Sequence, residues 1–176
     1  MARIGDRAAG APFRVYTPAR VRSAEAAALD EGRTWDYAVA AGDRITDRFP
    51  LDLFDSGMYH LCVCGPNGFF RDFRGHRDDP GLAVSLTSAA DGAVLKLINH
   101  DPARPLNVTV EDQSYGASPR ALHVSPGAVS VVRLNLNRSH GWYDLRICVA
   151  GSPDYEQRYA GHVETGRESF TDPLIA

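Results

Sequence analysis

The 176-residue sequence predicts an all-β protein made of two tandem antiparallel β-sandwich repeats, the first of them truncated at its N-terminus. One reason is an internal repeat, because residues 57–64 return as residues 141–148 with the same order of glycine, aromatic residue, tyrosine and alternating apolar positions. Another is the alternation itself, which marks strands buried on one face. Each complete unit offers about seven short strands with turn signals about every 8–12 residues, which favours an immunoglobulin-like sandwich.

The repeated unit is predicted to be a β-hairpin. In the first copy its strands flank a turn at residues 65–68, where proline presets φ and Asn-Gly accepts positive φ. A Gly-His pair closes each copy, at residues 75–76 and 161–162, and the second copy holds two additional residues before it. The simplest explanation is a loop or bulge near residues 149–150.

The N-terminal part of the chain lacks counterparts of the strands that open the second copy. Residues 11–16 match residues 104–109, and the second copy has two further predicted strands before its segment, at 82–87 and 94–99. The first copy is therefore expected to lack its first strand and the start of its second. An unpaired sheet edge would follow, and such edges recruit other strands, so self-association through the truncated sandwich is expected to be possible.

The remaining elements of the first copy are one helix and two strands. Residues 24–31 are rich in alanine and precede a glycine, which predicts a short inserted helix. Residues 35–39 alternate and match a strand at 120–124, and residues 45–54 are predicted to be a strand that matches 129–136.

These elements divide the chain into a first repeat at 1–76, a charged linker at 77–80, and a second repeat with a C-terminal tail at 81–176. Period-two alternation also predicts which side chains point inward. The predicted inward residues are Tyr37, Val39, Tyr59, Leu61, Val63 and Phe73 in the first copy and Leu122, Val124, Tyr143, Leu145, Ile147 and Tyr159 in the second.

Composition excludes some functions. The net charge is −3 and the pI about 6.0, so the chain has no basic field to hold nucleic acid. Cys62 and Cys64 lie on one face of a strand and Cys148 is the equivalent of Cys64, so three unpaired thiols are expected. A Cys-x-Cys motif without a second pair is a weak metal signal, and neither a metal site nor a cofactor is predicted. No catalytic residue is predicted either, because the histidines lack metalloprotease spacing and no serine stands in Gly-x-Ser-x-Gly.

One side chain distinguishes the two hairpins. Phe70 in the first copy corresponds to Glu156 in the second, and a position that holds glutamate in one sandwich is expected to face solvent in the other. Arg74 should lie on the same side of the strand as Phe70, with Arg71 close by. Two interpretations remain open: an isolated surface phenylalanine, which is common, or a weak contact with a lipid surface or a partner domain.

The two hairpins and the tail carry a family resemblance. Residues 59–75, Tyr-His-Leu-Cys-Val-Cys-Gly-Pro-Asn-Gly-Phe-Phe-Arg-Asp-Phe-Arg-Gly, resemble the end of the first of two C-terminal repeats in bacterial phospholipase C enzymes that prefer phosphocholine lipids. Residues 141–144 and 161–173 resemble the end of the second repeat. The resemblance implies that a large N-terminal phosphoesterase domain, absent from this sequence, performs the hydrolysis. It also implies an exported enzyme, periplasmic or extracellular, and a chain that is not itself catalytic.

Three hypotheses follow from the residues and the resemblance. The chain is a non-catalytic accessory module that positions a secreted phospholipase C at lipid, or a purely structural pair that stabilises the catalytic domain. The alternative from another class is a free-standing module that binds carbohydrate or a surface protein.

Overall fold

A computed structural model describes residues 10–23, 28–89, 92–165 and 168–175. Over these residues the chain forms strands and three short 3-10 turns, and no helix there is long and apolar enough to cross a membrane. The strands are β1 (Ala11–Arg22), β2 (Leu29–Val39), β3 (Tyr59–Cys64), β4 (Phe70–Gly75), β5 (Leu82–Ala89), β6 (Gly92–Asn99), β7 (Leu106–Asp112), β8 (Arg120–Val124), β9 (Val129–Asn135), β10 (Trp142–Val149) and β11 (Ser152–His162). The predicted all-β class is confirmed.

The strands form two antiparallel sheets. Eight strands make one sheet in the order β2-β1-β3-β4-β11-β10-β7-β8, and three make the other in the order β5-β6-β9. The hairpins β3–β4 and β10–β11 meet in the middle of the large sheet, where β4 pairs with β11 so that Asp72 lies opposite Arg158 and Phe73 opposite Gln157. One continuous sheet therefore contains strands from both sequence repeats.

The three-stranded sheet covers the second half of the large sheet, β11-β10-β7-β8. Leu95, Leu97 and Ile147 are fully buried between the two sheets, and Tyr143 and Leu145 are 5% exposed. Two tyrosine hydroxyls of β11 donate to the free edge of β5, from Tyr155 to the Leu82 carbonyl and from Tyr159 to the Val84 carbonyl. Core packing and these edge contacts fix the second half as a two-layer unit.

A loop covers the first half instead of a sheet, within the residues that the structure describes. Phe49 packs edge-on against Trp35 with ring centroids 4.9 Å apart. Phe54 is 2% exposed and lies 6.3 Å from the ring of Tyr59. The predicted inward residues of this half, such as Leu61, are consequently half-buried.

Two predicted elements of the first half are wrong. Residues 45–54 do not form a strand: Leu51–Leu53 is a 3-10 turn and Phe54 makes a single bridge to Val21. Pro50 removes a backbone donor, which disfavours strand pairing in this segment.

The helix predicted over 24–31 is also not formed where the structure describes it. Leu29, Asp30 and Glu31 begin β2 and pair with β1, so strand pairing overrides the helical propensity of alanine. Residues 24–27 lie outside the described residues. Gly32, expected to end that helix, lies within β2 with φ +82°, beside a register shift in its pairing with β1.

The second hairpin contains the irregularity that its two additional residues predict. The register of β10 against β11 shifts between Cys148 and Val149, so that Cys148 lies opposite Glu156 whereas Val149 lies opposite Ser152. The expected bulge near residues 149–150 is confirmed.

Candidate functional site

The outer face of the large sheet, opposite the three-stranded sheet, carries the polar side chains of the two central hairpins. Residues directly opposite one another in neighbouring strands share a face, so the pairing register defines rows across the sheet. The rows are Cys64–Phe70–Ala160–Asp144, then Cys62–Asp72–Arg158–Arg146, then His60–Arg74–Glu156–Cys148.

Phe70 lies on this outer face, as predicted. Its neighbours in the row are Cys64 and Ala160, and the guanidinium carbon of Arg158 lies 5.8 Å from the ring centroid. The ring is half-buried because these side chains flank it. Phe70 therefore presents part of an aromatic ring to solvent in a face that is otherwise largely polar.

Arg74 shares the outer face with Phe70 and is paired there. Its side chain is 48% exposed, and Nη2 lies 3.2 Å from Asp72 Oδ2. Nε donates to Asp72 Oδ1 at 3.3 Å and to His60 Nε2 at 3.1 Å. The hydrogen bond with Asp72 raises the pKa of Arg74, so the guanidinium stays charged.

Arg71 lies on the inner face, which separates it from Phe70 and Arg74. Its Nη1 donates to the carbonyl oxygens of Phe70 and Ala160, both at 2.7 Å, and Nη2 donates to the Tyr143 hydroxyl at 3.1 Å. The guanidinium also lies 4.3 Å above the Phe69 ring. Arg71 thus ties β4 to β11 and β10.

The turn that ends the first hairpin contacts the second half of the sheet. Asn67 Nδ2 donates to Glu164 Oε1 at 3.0 Å, and Gly68 lies against the Trp142 ring. Position 68 must be glycine, because an added Cβ would lie 2.7 Å from a Trp142 ring carbon. The indole Nε1 of Trp142 in turn donates to the Phe170 carbonyl at 2.9 Å.

The C-terminal tail carries three exposed apolar side chains. Phe170 is 64% exposed, Leu174 61% and Ile175 78%. These residues were not among the predicted site residues, although three large apolar residues in a short polar tail were a visible signal. The tail is held by the Trp142 contact and by the Tyr115 hydroxyl, which donates to Asp172 at 3.2 Å.

A compact polar cluster lies beside Phe70 in the first half. It consists of His60 and Cys62 on β3 and Asp72 on β4, and Cys62 and Asp72 are 2% and 5% exposed. Burial raises the pKa of the Cys62 thiol. The Tyr16 hydroxyl hydrogen-bonds Cys62, which raises the pKa of Tyr16 to about 12. All three cysteines lie in the described residues and are free.

These three residues were not predicted to form a cluster. His60 and Cys62 are two apart on one strand and so share a face, which was readable from the alternation. Asp72 joins them only through the register of the hairpin, in which Cys62 lies directly opposite Asp72.

The inner face of the first half carries a shallow apolar hollow between β1, β2 and the loop after β2. Ile45 at its rim is 48% exposed. The apolar residues that line the hollow are Phe13, Val15, Tyr37, Val39, Ile45 and Phe49.

Comparison with known proteins identifies the family. The model of the bacterial phospholipase C C-terminal domain matches residues 3–76 and 80–162. This chain belongs to that family. A non-hemolytic phospholipase C of Burkholderia pseudomallei is 36% identical over 149 residues, which cover 81% of this chain and 21% of that protein.

Two proteins of Pseudomonas aeruginosa are similarly related. Its non-hemolytic phospholipase C is 36% identical over 147 residues, covering 78% of this chain and 21% of the relative. Its hemolytic phospholipase C is 38% identical over 133 residues, covering 70% and 18%. The chain thus spans about a fifth of the length of these relatives, and the resemblance stated from the hairpins is confirmed.

Proposed function

We propose that this chain is the non-catalytic, accessory C-terminal region of a secreted bacterial phospholipase C that hydrolyses phosphatidylcholine-type lipids. The observation that supports this most is membership of a C-terminal domain family together with coverage of only about a fifth of each relative. The phosphodiester chemistry then belongs to an N-terminal phosphoesterase domain, which is the first partner of this chain. Secretion is part of the same proposal, because the family resemblance implies an exported enzyme.

The outer face is the proposed lipid contact. Phe70 offers a ring at headgroup depth, and Arg74 on the same face offers a half-exposed guanidinium to lipid phosphate. Arg71 contributes indirectly from the inner face, because its hydrogen bonds to the Phe70 and Ala160 carbonyls hold the strand that carries Phe70.

The expected affinity for lipid is low. Phe70 is half-buried and Arg74 is already paired with Asp72, so together they supply only a few kcal/mol. Weak attachment suits a module that orients an enzyme on a surface without immobilising it.

Sedimentation with vesicles tests this proposal. Phosphatidylcholine vesicles with some anionic lipid should carry down a measurable fraction of the wild-type chain. Phe70→Glu, which introduces the residue found at the equivalent position of the second hairpin, should reduce that fraction without shifting Tm. Val131→Glu is the matched control, since Val131 is 54% exposed on β9 and belongs to the other sheet. An equal loss of sedimentation in both variants, or no sedimentation of the wild-type chain, would contradict the proposed lipid contact.

The apolar hollow favours a second, structural role. Its aromatic and aliphatic lining is covered by a loop alone in the described chain, and an adjoining phosphoesterase domain is the proposed occupant. Ile45→Asp should weaken binding to the separately produced N-terminal part of a relative, whereas Val131→Asp should not. Concentration-dependent self-association that Ile45→Asp abolishes would assign the hollow to a second copy instead.

A direct assay separates these proposals from intrinsic catalysis. The purified chain should not hydrolyse a chromogenic choline phosphodiester above buffer background. Specific binding to an immobilised carbohydrate, without vesicle binding, would favour the free-standing module.

A further inference from the structure

Three donor atoms of different chemistry converge on one point of the outer face. His60 Nε2 lies 3.2 Å from Asp72 Oδ2 and 3.4 Å from Cys62 Sγ, and Cys62 Sγ lies 3.8 Å from Asp72 Oδ2. A tetrahedral zinc ion has bonds of about 2.0–2.3 Å to nitrogen, oxygen and sulfur, which separates its ligand atoms by about 3.3–3.6 Å. The three separations in the protein bracket that range.

The backbone holds these donors in place without a ligand. His60 and Cys62 project from the same face of β3, and Asp72 lies directly across from Cys62 on β4. Both strands are in the interior of the eight-stranded sheet, and Cys62 and Asp72 are 2% and 5% exposed. Little conformational freedom remains to be lost when an ion binds.

His60 Nε2 has two polar neighbours, the Asp72 carboxylate and Arg74 Nε, and its tautomer decides which of them it bonds. The contact with Asp72 requires a proton on Nε2, and the contact with Arg74 Nε requires a lone pair there. The nitrogen makes one contact or the other, and Arg74 stays bonded to Asp72 in either case. A cation between Nε2, Sγ and the carboxylate would use all three lone pairs at once.

We propose that His60, Cys62 and Asp72 bind a single divalent transition-metal ion of the zinc type. A neutral imidazole, a thiolate and a carboxylate carry two negative charges, which balance a divalent ion. The thiolate and imidazole favour zinc over magnesium or calcium, whose sites are built from oxygen atoms. On binding, the Cys62 thiol loses its proton to solvent and the Arg74 guanidinium leaves its contact with His60.

Arg74 is placed to make this exchange. It now neutralises Asp72 and is 48% exposed, so its side chain can rotate into water when the ion takes over that charge. The fourth coordination position is then open on the side where His60 is 25% exposed. The Tyr16 hydroxyl, which contacts Cys62, supports the sulfur from the neighbouring strand β1.

The second hairpin provides an internal contrast. The positions that correspond to His60, Cys62 and Asp72 hold Asp144, Arg146 and Arg158. Arg158 donates to both carboxylate oxygens of Asp144 at 2.7 Å, so that half of the face is closed by an ion pair between fixed charges. Two arginines exclude a metal ion there.

Titration of the full chain with Co²⁺, under reducing conditions and without an affinity tag, tests the site. One Co²⁺ per chain should bind with the intense visible bands of tetrahedral coordination and a thiolate charge-transfer band, and Zn²⁺ should displace it. Cys62→Ser should remove the charge-transfer band and weaken binding more than about 100-fold, since changes outside the ligand set alone cost about 10–100-fold. Cys64→Ser and Cys148→Ser are the matched controls and should behave as wild type.

A gain-of-binding variant keeps the test valid if Cys62→Ser does not fold. Arg74→Gln removes the competing cation and should tighten Zn²⁺ binding in a chelator competition assay. A Co²⁺ spectrum unchanged from buffer in both wild type and Arg74→Gln would overturn the proposal. So would a charge-transfer band that survives Cys62→Ser and is lost in Cys64→Ser. Neither readout involves lipid, so the vesicle result leaves this test unaffected.

Discussion

The two halves of the eight-stranded sheet contain corresponding hairpins in different surroundings. Tyr143 and Leu145 of the second half are 5% exposed beneath the three-stranded sheet. Tyr59 and Leu61 hold the same positions in the first half and are half-buried, because a loop covers that face. Apolar alternation therefore decides which face of a strand points inward, whereas the depth of burial depends on the element that covers it.

The outer faces of the two halves also differ, in how their charged side chains are paired. Asp144 and Arg158 neutralise each other in the second half, where the contact is buried on the carboxylate side. The first half places a histidine, a thiol and a carboxylate together and leaves Arg74 as the only cation bonded to them in the described contacts. In the second half of the face an arginine thus occupies the carboxylate, whereas in the first half three donor atoms stay grouped and could bind a ligand.

The largest expected effect tests the register of the second half. Tyr143→Ala should destabilise by about 3–5 kcal/mol, the usual cost of truncating a buried aromatic residue. Trp142→Ala should cost less, because Trp142 is only half-buried on the outer face, where its ring contacts Gly68 and His162 and its indole donates to the Phe170 carbonyl. Urea midpoints at equal m values measure the difference. The opposite order would mean that the two faces are exchanged.

A pair of identical substitutions then compares the halves directly. Leu145→Ala removes a buried side chain and should cost about 2–5 kcal/mol, whereas Leu61→Ala, at the corresponding half-buried position, should cost less than about 2 kcal/mol. The two substitutions delete the same atoms, so urea midpoints report the difference in covering. Equal losses would show that the inner face of the first half is as well covered as that of the second.

The strands that could be predicted are those with a local signal. Alternation and turn residues identify β3, β4, β10 and β11, and the two additional residues identify the bulge at Cys148. The start of β2 was missed because its pairing with β1 outweighs the alanine-rich composition of the segment. The pairing of β4 with β11 has no local signal, since it joins strands that are far apart in the chain.

The candidate site, like the fold, was predictable where it depends on one strand and not where it depends on the pairing of two. Period two places Phe70 and Arg74 on one face and Arg71 on the other, so their relation follows from the strand alone. The meeting of Cys62 with Asp72 depends on the register that the turn at residues 65–68 sets, and a shift of one residue would separate them.

The smallest expected effect concerns pH and the ion pair of the second half. Burial acts to raise the pKa of Asp144, but the hydrogen bonds from Arg158 and Ser114 outweigh it and hold that pKa below the usual 3.8. A depressed pKa in the folded state means that the carboxylate contributes stability above pH 3.8 and loses it as the pH falls through the folded value. Arg158 is 40% exposed, so solvent screening limits the contribution.

Asp144→Asn should therefore destabilise the chain by about 1–3 kcal/mol at pH 7, the range for a buried group that loses a charged partner. The gap to wild type should narrow as the pH falls below 3.8, where protonation removes the same charge from the wild-type protein. Asp154→Asn is the control, because Asp154 is exposed on β11 and should change stability by no more than about 0.5 kcal/mol. Urea midpoints between pH 7 and pH 3 provide the measurement. A gap that widens with acidity would show that Asp144 is not the stabilised partner, and the contrast with the open cluster of the first half would lose its electrostatic basis.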